Sequence, residues 1–151
     1  MSDIFLSYAS ADLPRVQPLI RALERQGWSV WWDRGAILPG QNFDQIIEEA
    51  LGAARCVLVV WSRTAIVSDW VQAEATEGRG RRILVPVTLD DIQIPLGFRQ
   101  IHTARLLDWQ DTGPHPEFDQ VVRAVTHLEA EQQHWDGICA DPGGRVQNGI
   151  K

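Results

Sequence analysis

The chain predicts an α/β fold, a doubly wound three-layer sandwich with a parallel sheet between two layers of helices. Its apolar runs are short and nearly unbroken, as in Ile4-Phe5-Leu6 and Cys56-Val57-Leu58-Val59-Val60-Trp61. That is the pattern of strands covered on both faces. Between these runs stand segments whose apolar residues recur at helical spacing. Strands that alternate with helices form parallel sheets through right-handed crossovers. With 151 residues and 44% hydrophobic content, the chain can bury one substantial core.

Ile4-Phe5-Leu6-Ser7-Tyr8 reads as the first strand. Asp12 then stands where a helix cap belongs, with Pro14 in the first turn, where a missing N–H is tolerated. Val16, Leu19, Ile20 and Leu23 form that helix's inner stripe despite Pro18, and Gln26-Gly27 ends it. Trp28 to Trp32 is the second strand. From Asp33 to Asn42 the glycines and Pro39 make an irregular loop, and Asn42 with Gln45 has capping-box spacing. Phe43, Ile46, Ile47, Ala50 and Leu51 supply the face of the next helix, and Cys56 to Trp61 is the third strand.

A further helix starts at Ser68, and Gly78 and Gly80 break the chain after it. Ile83 to Val87 is the fourth strand, in which Pro86 requires an edge or near-end place because it cannot donate to a ladder. Asp90 to Arg99 is a loop, and Ala104 to Leu107 a short fifth strand. The last helix begins at Pro116 and buries Phe118, Val121, Val122, Val125 and Leu128. The apolar signal ends before Asp136. Residues 1–135 therefore make the domain, and the polar tail 136–151, with Pro142, Gly143, Gly144 and Gly149, reads as a linker to a further sensor or oligomerisation module.

A formal charge of −6 argues against a nucleic-acid duplex as partner, since phosphates need a basic surface. The basic residues are almost all arginine, and Arg79, Arg81 and Arg82 read as a solvated helix exit. No stretch reaches 18 apolar residues, and Met1-Ser2-Asp3 lacks the basic start of a signal peptide. The expectation is a soluble, cytoplasmic chain that does not engage a membrane. Cys56 reads as a small buried hydrophobe and Cys139 lies in the polar tail. The four histidines, at 102, 115, 127 and 134, share no metal-ligand spacing, so no metal site is expected.

Nucleotide motifs narrow the function. No Gly-x-Gly-x-x-Gly follows the first strand and no phosphate-binding Gly-x-x-x-x-Gly-Lys loop occurs. Nor does the third strand end in the aspartate of a phosphate-accepting response regulator, because its exit is Val60-Trp61-Ser62. The feature that remains is Ser68-Asp69-Trp70-Val71-Gln72-Ala73-Glu74. On a helix, Trp70 and Glu74 stand one turn apart on one face, next to the end of a strand, where open α/β sheets place ligands. An aromatic plane beside a carboxylate suits a sugar or a base. A core tryptophan with a solvated glutamate would give the same spacing.

Taken in order, these segments resemble a bacterial Toll/interleukin-1 receptor (TIR) domain over about residues 3 to 134. The matching stretches are Asp3 to Tyr8, Gly27 to Asp33, Leu38-Pro39-Gly40, Phe43 with Ile46-Ile47 through Ala50, Val57 to Ser62, Ser68-Asp69-Trp70 with Glu74, and Ile83 to Val87. The resemblance implies a flavodoxin-like, five-stranded parallel sheet. It also implies a choice between adaptors and enzymes that cleave NAD+ at the nicotinamide-ribose bond. Enzymatic members carry a glutamate where Glu74 stands, four residues after an aromatic like Trp70, so the resemblance favours NAD+ as substrate, with no cofactor. The product would be ADP-ribose or a cyclic isomer.

With Glu74 as catalytic carboxylate, the substrate-facing candidates are Trp70, Tyr8, Ser10, Trp32, Asp33, Phe43 and Ser62, with Ser7 also at the first strand's exit. Each has a structural alternative: Ser10 as a turn residue, Trp32 as a packed strand end, Asp33 as a loop cap. Trp61 serves equally as core. The resemblance assigns Arg34, Leu38, Pro39 and Gly40 to a loop that contacts a second TIR domain, implying a homo-oligomer in the active state and a ligand-sensing domain or partner. The alternative function is a non-enzymatic adaptor acting through the same contact.

Overall fold

The computed structural model describes residues 3–107, 109–110, 113 and 115–139, without the side chains of 36 and 133–139. Five strands, β1 (Ile4–Ser7), β2 (Val30–Trp31), β3 (Cys56–Trp61), β4 (Leu84–Thr88) and β5 (Ala104–Arg105), alternate with four helices. These are α1 (Leu13–Arg25), α2 (Phe43–Ala53), α3 (Asp69–Gly80) and α4 (Pro116–Cys139). The strands form one sheet in the order β2-β1-β3-β4-β5, every pair parallel. After β1 the chain fills one side of the sheet, then returns to fill the other. The strand ends of β1 and β3 are thus a topological switch point, the usual place for a ligand in such sheets.

Side-chain alternation along the central strands assigns the layers. Ile4, Leu6 and Tyr8 pack with Val16, Leu19, Ile20 and Leu23 of α1 and Val121 and Val125 of α4. Phe5 faces the other way, towards Ile47 of α2, while Val59 and Trp61 meet Val71 and Ala75 of α3. Ser7 shares the Phe5 face and is fully buried there. A hydroxyl at that position needs a partner, because a buried polar group without a hydrogen bond costs about 1–3 kcal/mol.

The expected caps are partly present. Asn42 accepts a bond from the Gln45 N–H at 3.0 Å and Ser68 accepts from the Val71 N–H at 3.2 Å. Gly27 closes α1 at φ +101°, a conformation that side chains disfavour. Asp12 does not cap α1; its buried carboxylate turns to the Ser62 hydroxyl instead. Gly78 does not break the chain, since α3 continues through it and ends at Gly80. A Cβ on Gly78 would lie 2.8 Å from Cβ of Val57, so the glycine lets α3 approach β3.

Several boundaries shift for local reasons. β2 keeps only Val30–Trp31, as the Trp28 indole reaches Glu129 of α4 and the Trp32 carbonyl accepts from the Arg34 N–H. Pro86 is neither at an edge nor near an end: it is the middle residue of β4, an inner strand, and is accommodated because β5 pairs with β4 only at Val87 and Thr88, leaving the β5 side of Pro86 without a ladder partner. Val122 is half-buried, and Ala124 packs against the core near it. Arg79, Arg81 and Arg82 are exposed at the exit of α3, as expected, and two of them also bind backbone carbonyls. Arg81 donates to the Leu51 and Ala54 carbonyls at the end of α2, and Arg79 to the Gly97 carbonyl beside the Phe98 ring. α4 runs to Cys139, and the remainder of the expected linker, 140–151, lies outside the described residues. Among those described, no helix is long and apolar enough to cross a membrane.

Candidate functional site

Ser7 at the end of β1 points at α3, and on α3 the residues facing the sheet are Val71, Glu74, Ala75 and Gly78. One helical turn separates Val71 from Glu74 and Ala75, so the apolar inner stripe carries a single carboxylate. That carboxylate is 4% exposed. The Ser7 hydroxyl donates to its Oε1 at 2.7 Å. The Arg34 Nη2 donates to Oε1 at 2.8 Å and to Oε2 at 3.0 Å. Burial pushes the Glu74 carboxyl above its ordinary value of 4.5, while Arg34, Ser7 and Trp70 act in the opposite direction.

Arg34 stands in a 3-10 turn, Arg34–Ala36, directly after β2. Its guanidinium carbon sits 5.4 Å from the centre of the Tyr8 ring, and its Nη1 donates to the Tyr8 carbonyl at 3.4 Å. The Nε of Arg34 is buried with no hydrogen-bond partner. Tyr8 is itself nearly buried, and its hydroxyl donates to the Trp32 carbonyl at 2.9 Å. Arg34 thereby joins the exits of β1 and β2 to the acid on α3.

Trp70 divides two cavities. One, of about 600 Å³, runs between α2 and α3 and is bounded by Trp70, Ala73, Glu74 and Ile47, with Asp44, Glu48 and Glu77 around it. The other, of about 430 Å³, opens over the β1 exit and is bounded by Tyr8, Ser10, Arg34, Phe43, Ser68 and Trp70. The Phe43 and Trp70 rings lie 5.9 Å apart, tilted by 41°. Trp70 is 41% exposed and Phe43 45%, which leaves two aromatic surfaces beside a buried acid.

Comparison with known proteins accords with this architecture. A family model described as the TIR domain matches residues 4–122. The chain belongs to the TIR domain family. The NAD(+) hydrolase TcpA of Theionarchaea archaeon is 27% identical over 133 residues, covering 82% of this chain and 40% of that protein. The NAD(+) hydrolase PdTIR of Paracoccus denitrificans is 32% identical over 91 residues, covering 56% of this chain and 30% of that protein. The chain thus spans less than half the length of these curated relatives. Among solved structures, the TIR domain of the Toll-related receptor TRR-2 from Hydra magnipapillata superposes with a TM-score of 0.72 at 20% identity, over 83% of this chain and 99% of that one. That likeness concerns the fold.

Within this TIR domain the candidates separate. Glu74, Trp70, Tyr8, Ser10 and Phe43 converge on the two cavities. Ser62 does not join them. It is fully buried, its hydroxyl donates to Asp12 and accepts from the Ala65 N–H at 3.0 Å, and it borders neither cavity. Trp32 packs on the α1 side and offers the site only its carbonyl. Asp33 accepts from the Gly35 N–H at 3.0 Å, the loop-cap alternative. Trp61 is core, against Phe98.

The loop proper projects outward. Leu38 is 63% exposed and Gly40 has φ +90°. Arg34, grouped with that loop by sequence, instead points inward to Glu74. Of the two residues that hold the acid, the sequence marks Ser7 only as a group lining the first strand's exit and Arg34 only as part of the outward loop. Ser7 carried a usable signal, being the one hydroxyl on the Phe5 face of a buried strand. Arg34 carried none that distinguishes it from an ordinary loop arginine.

Proposed function

We propose that this TIR domain is an NAD+ glycohydrolase with Glu74 as its catalytic carboxylate. The observation that carries the reading is a buried carboxylate at the β1/β3 switch point, one turn from an exposed tryptophan and on the wall of a cavity that opens to solvent. The names of the TcpA and PdTIR relatives support it.

The chemistry asks for one carboxylate. When the C1′–N bond of NAD+ breaks, its electron pair stays on the ring nitrogen and the pyridinium leaves as neutral nicotinamide, so no general acid is required. Positive charge develops on the ribose, and a fixed carboxylate stabilises that oxocarbenium-like centre. Water attack, with loss of its proton to solvent, gives ADP-ribose; attack by a group of the same nucleotide gives a cyclic isomer. Trp70 and Phe43 supply apolar faces for ribose and base. Burial of the carboxylate itself strengthens its electrostatic effect on that centre.

The outward loop around Leu38, Pro39 and Gly40 is the contact through which a second TIR domain would assemble and promote activity in a defence or signalling response. An adaptor reading rests on the same exposed Leu38 and requires nothing of Glu74. A chromatographic time course of NAD+ with concentrated protein separates the two and identifies the product. Nicotinamide release supports the enzyme, and unchanged NAD+ beside a demonstrated oligomer supports the adaptor.

A further inference from the structure

Glu74 presents a chemical difficulty to any reading that uses its charge. Both carboxylate oxygens are held by Arg34 at 2.8 and 3.0 Å, and a carboxylate neutralised by a guanidinium does little for a cation forming beside it. The guanidinium must leave when the ribose arrives, and departure from a buried partner is costly unless another anion receives it.

The surroundings say where that anion would lie. The cavity between α2 and α3 is ringed by Asp44, Glu48 and Glu77, which suits the cationic nicotinamide end and repels phosphates. The cavity over the β1 exit is bounded by Arg34 itself, with Ser10, Thr64 and Ser68, and by no acidic residue among those described. Arg34 also retains an unpartnered buried Nε. A dinucleotide laid across Trp70 would set its pyridinium in the acidic cavity and its diphosphate beside Arg34.

We propose that Arg34 is the specificity-determining residue of this site: it rests on Glu74, transfers to the diphosphate of the bound dinucleotide, and so frees the acid only when that diphosphate is present. The inference rests on the hydrolase reading above. A ligand shifts such an equilibrium only by its differential affinity for the two states, and the diphosphate supplies that difference. Nicotinamide riboside has the same scissile bond without the diphosphate, so it leaves the Arg34–Glu74 pair closed.

The test measures nicotinamide release from NAD+ and from nicotinamide riboside, with and without added inorganic pyrophosphate, in wild type and Arg34→Gln. In wild type, NAD+ is strongly preferred, and pyrophosphate raises riboside cleavage severalfold while inhibiting NAD+ cleavage. In Arg34→Gln the ratio of kcat/KM values for NAD+ over riboside falls by about thirtyfold and pyrophosphate no longer stimulates. The wild-type arm stands even where the variant does not fold. Absence of pyrophosphate stimulation in wild type overturns the inference, and so does an unchanged substrate ratio in a folded Arg34→Gln. If wild type cleaves neither substrate, the hydrolase reading fails, and pyrophosphate binding followed by tryptophan fluorescence decides the Arg34 claim. Binding lost in Arg34→Gln sustains it, whereas equal binding in both proteins overturns it.

Discussion

The Ser7 hydroxyl donates 2.7 Å to Oε1 of Glu74 across 67 residues of sequence, tying the end of β1 to the inner face of α3. This bond and the Arg34 fork fix the carboxylate's position and favour its ionised form against burial. Removing the hydroxyl should therefore affect turnover more than binding. Ser7→Ala is expected to lower kcat for NAD+ by about tenfold, the scale of one hydrogen bond to a charged group, with KM little changed. Initial-rate kinetics checks this.

The same bond sets a pH signature. Catalysis uses the charged carboxylate, and its pKa lies above 4.5 because burial outweighs the donors around it. On acidification, activity should fall at a higher pH than an ordinary glutamate would give. Ser7→Ala removes a donor to the charged form, so its acid limb should move higher still. A kcat/KM profile for both proteins measures the shift, and coincident limbs would separate Ser7 from the ionisation.

How much of this was legible in sequence depends on what each residue answers to. β3 was readable residue for residue, Cys56 to Trp61, because an unbroken apolar run between turn signals admits one pairing. Trp70 and Glu74 were readable as a pair because helical spacing is local. Ser62 looked like a ligand group because strand exits line crevices. Only the tertiary placement of Asp12 shows that its hydroxyl is already engaged. Arg34 was unreadable for the same reason: its partner is 40 residues away, and no local pattern records such a contact.

Ser62→Ala tests that reassignment. It leaves the buried Asp12 carboxylate without one of its donors and should cost about 1–3 kcal/mol in stability, while kcat and KM for NAD+ stay at wild-type values. Urea denaturation and initial-rate kinetics read the two sides. A large KM increase in a stably folded variant would return Ser62 to the binding site.

Gly78→Ala tests the packing of α3 on the sheet. The new Cβ would stand 2.8 Å from Cβ of Val57, too close for either to remain in place. Overpacking of this kind costs about 1–3 kcal/mol, opposite in sign to the usual gain from glycine to alanine in a helix. Stabilisation on urea denaturation would show that α3 can lift from β3 without penalty.

Leu38→Asp is the cleanest probe of assembly. Leu38 is 63% exposed, so the fold should change by no more than about 0.5 kcal/mol, whereas any residue placed at Gly40 meets the strain of φ +90°. The variant is expected to lower oligomer content and NAD+ turnover together. Light scattering beside activity over a range of protein concentrations checks it. Full turnover from a monomeric variant would leave assembly without a role in activity.

The central claim is that the Glu74 carboxylate performs the bond cleavage, and Glu74→Gln tests it most directly. Glutamine keeps the shape and one acceptor oxygen while removing the charge. Nicotinamide release from NAD+ is followed chromatographically for concentrated wild type and variant, with circular dichroism confirming that both are folded. The account predicts release by wild type and a loss of at least about a hundredfold in the variant. Equal release by a folded Glu74→Gln protein would contradict it.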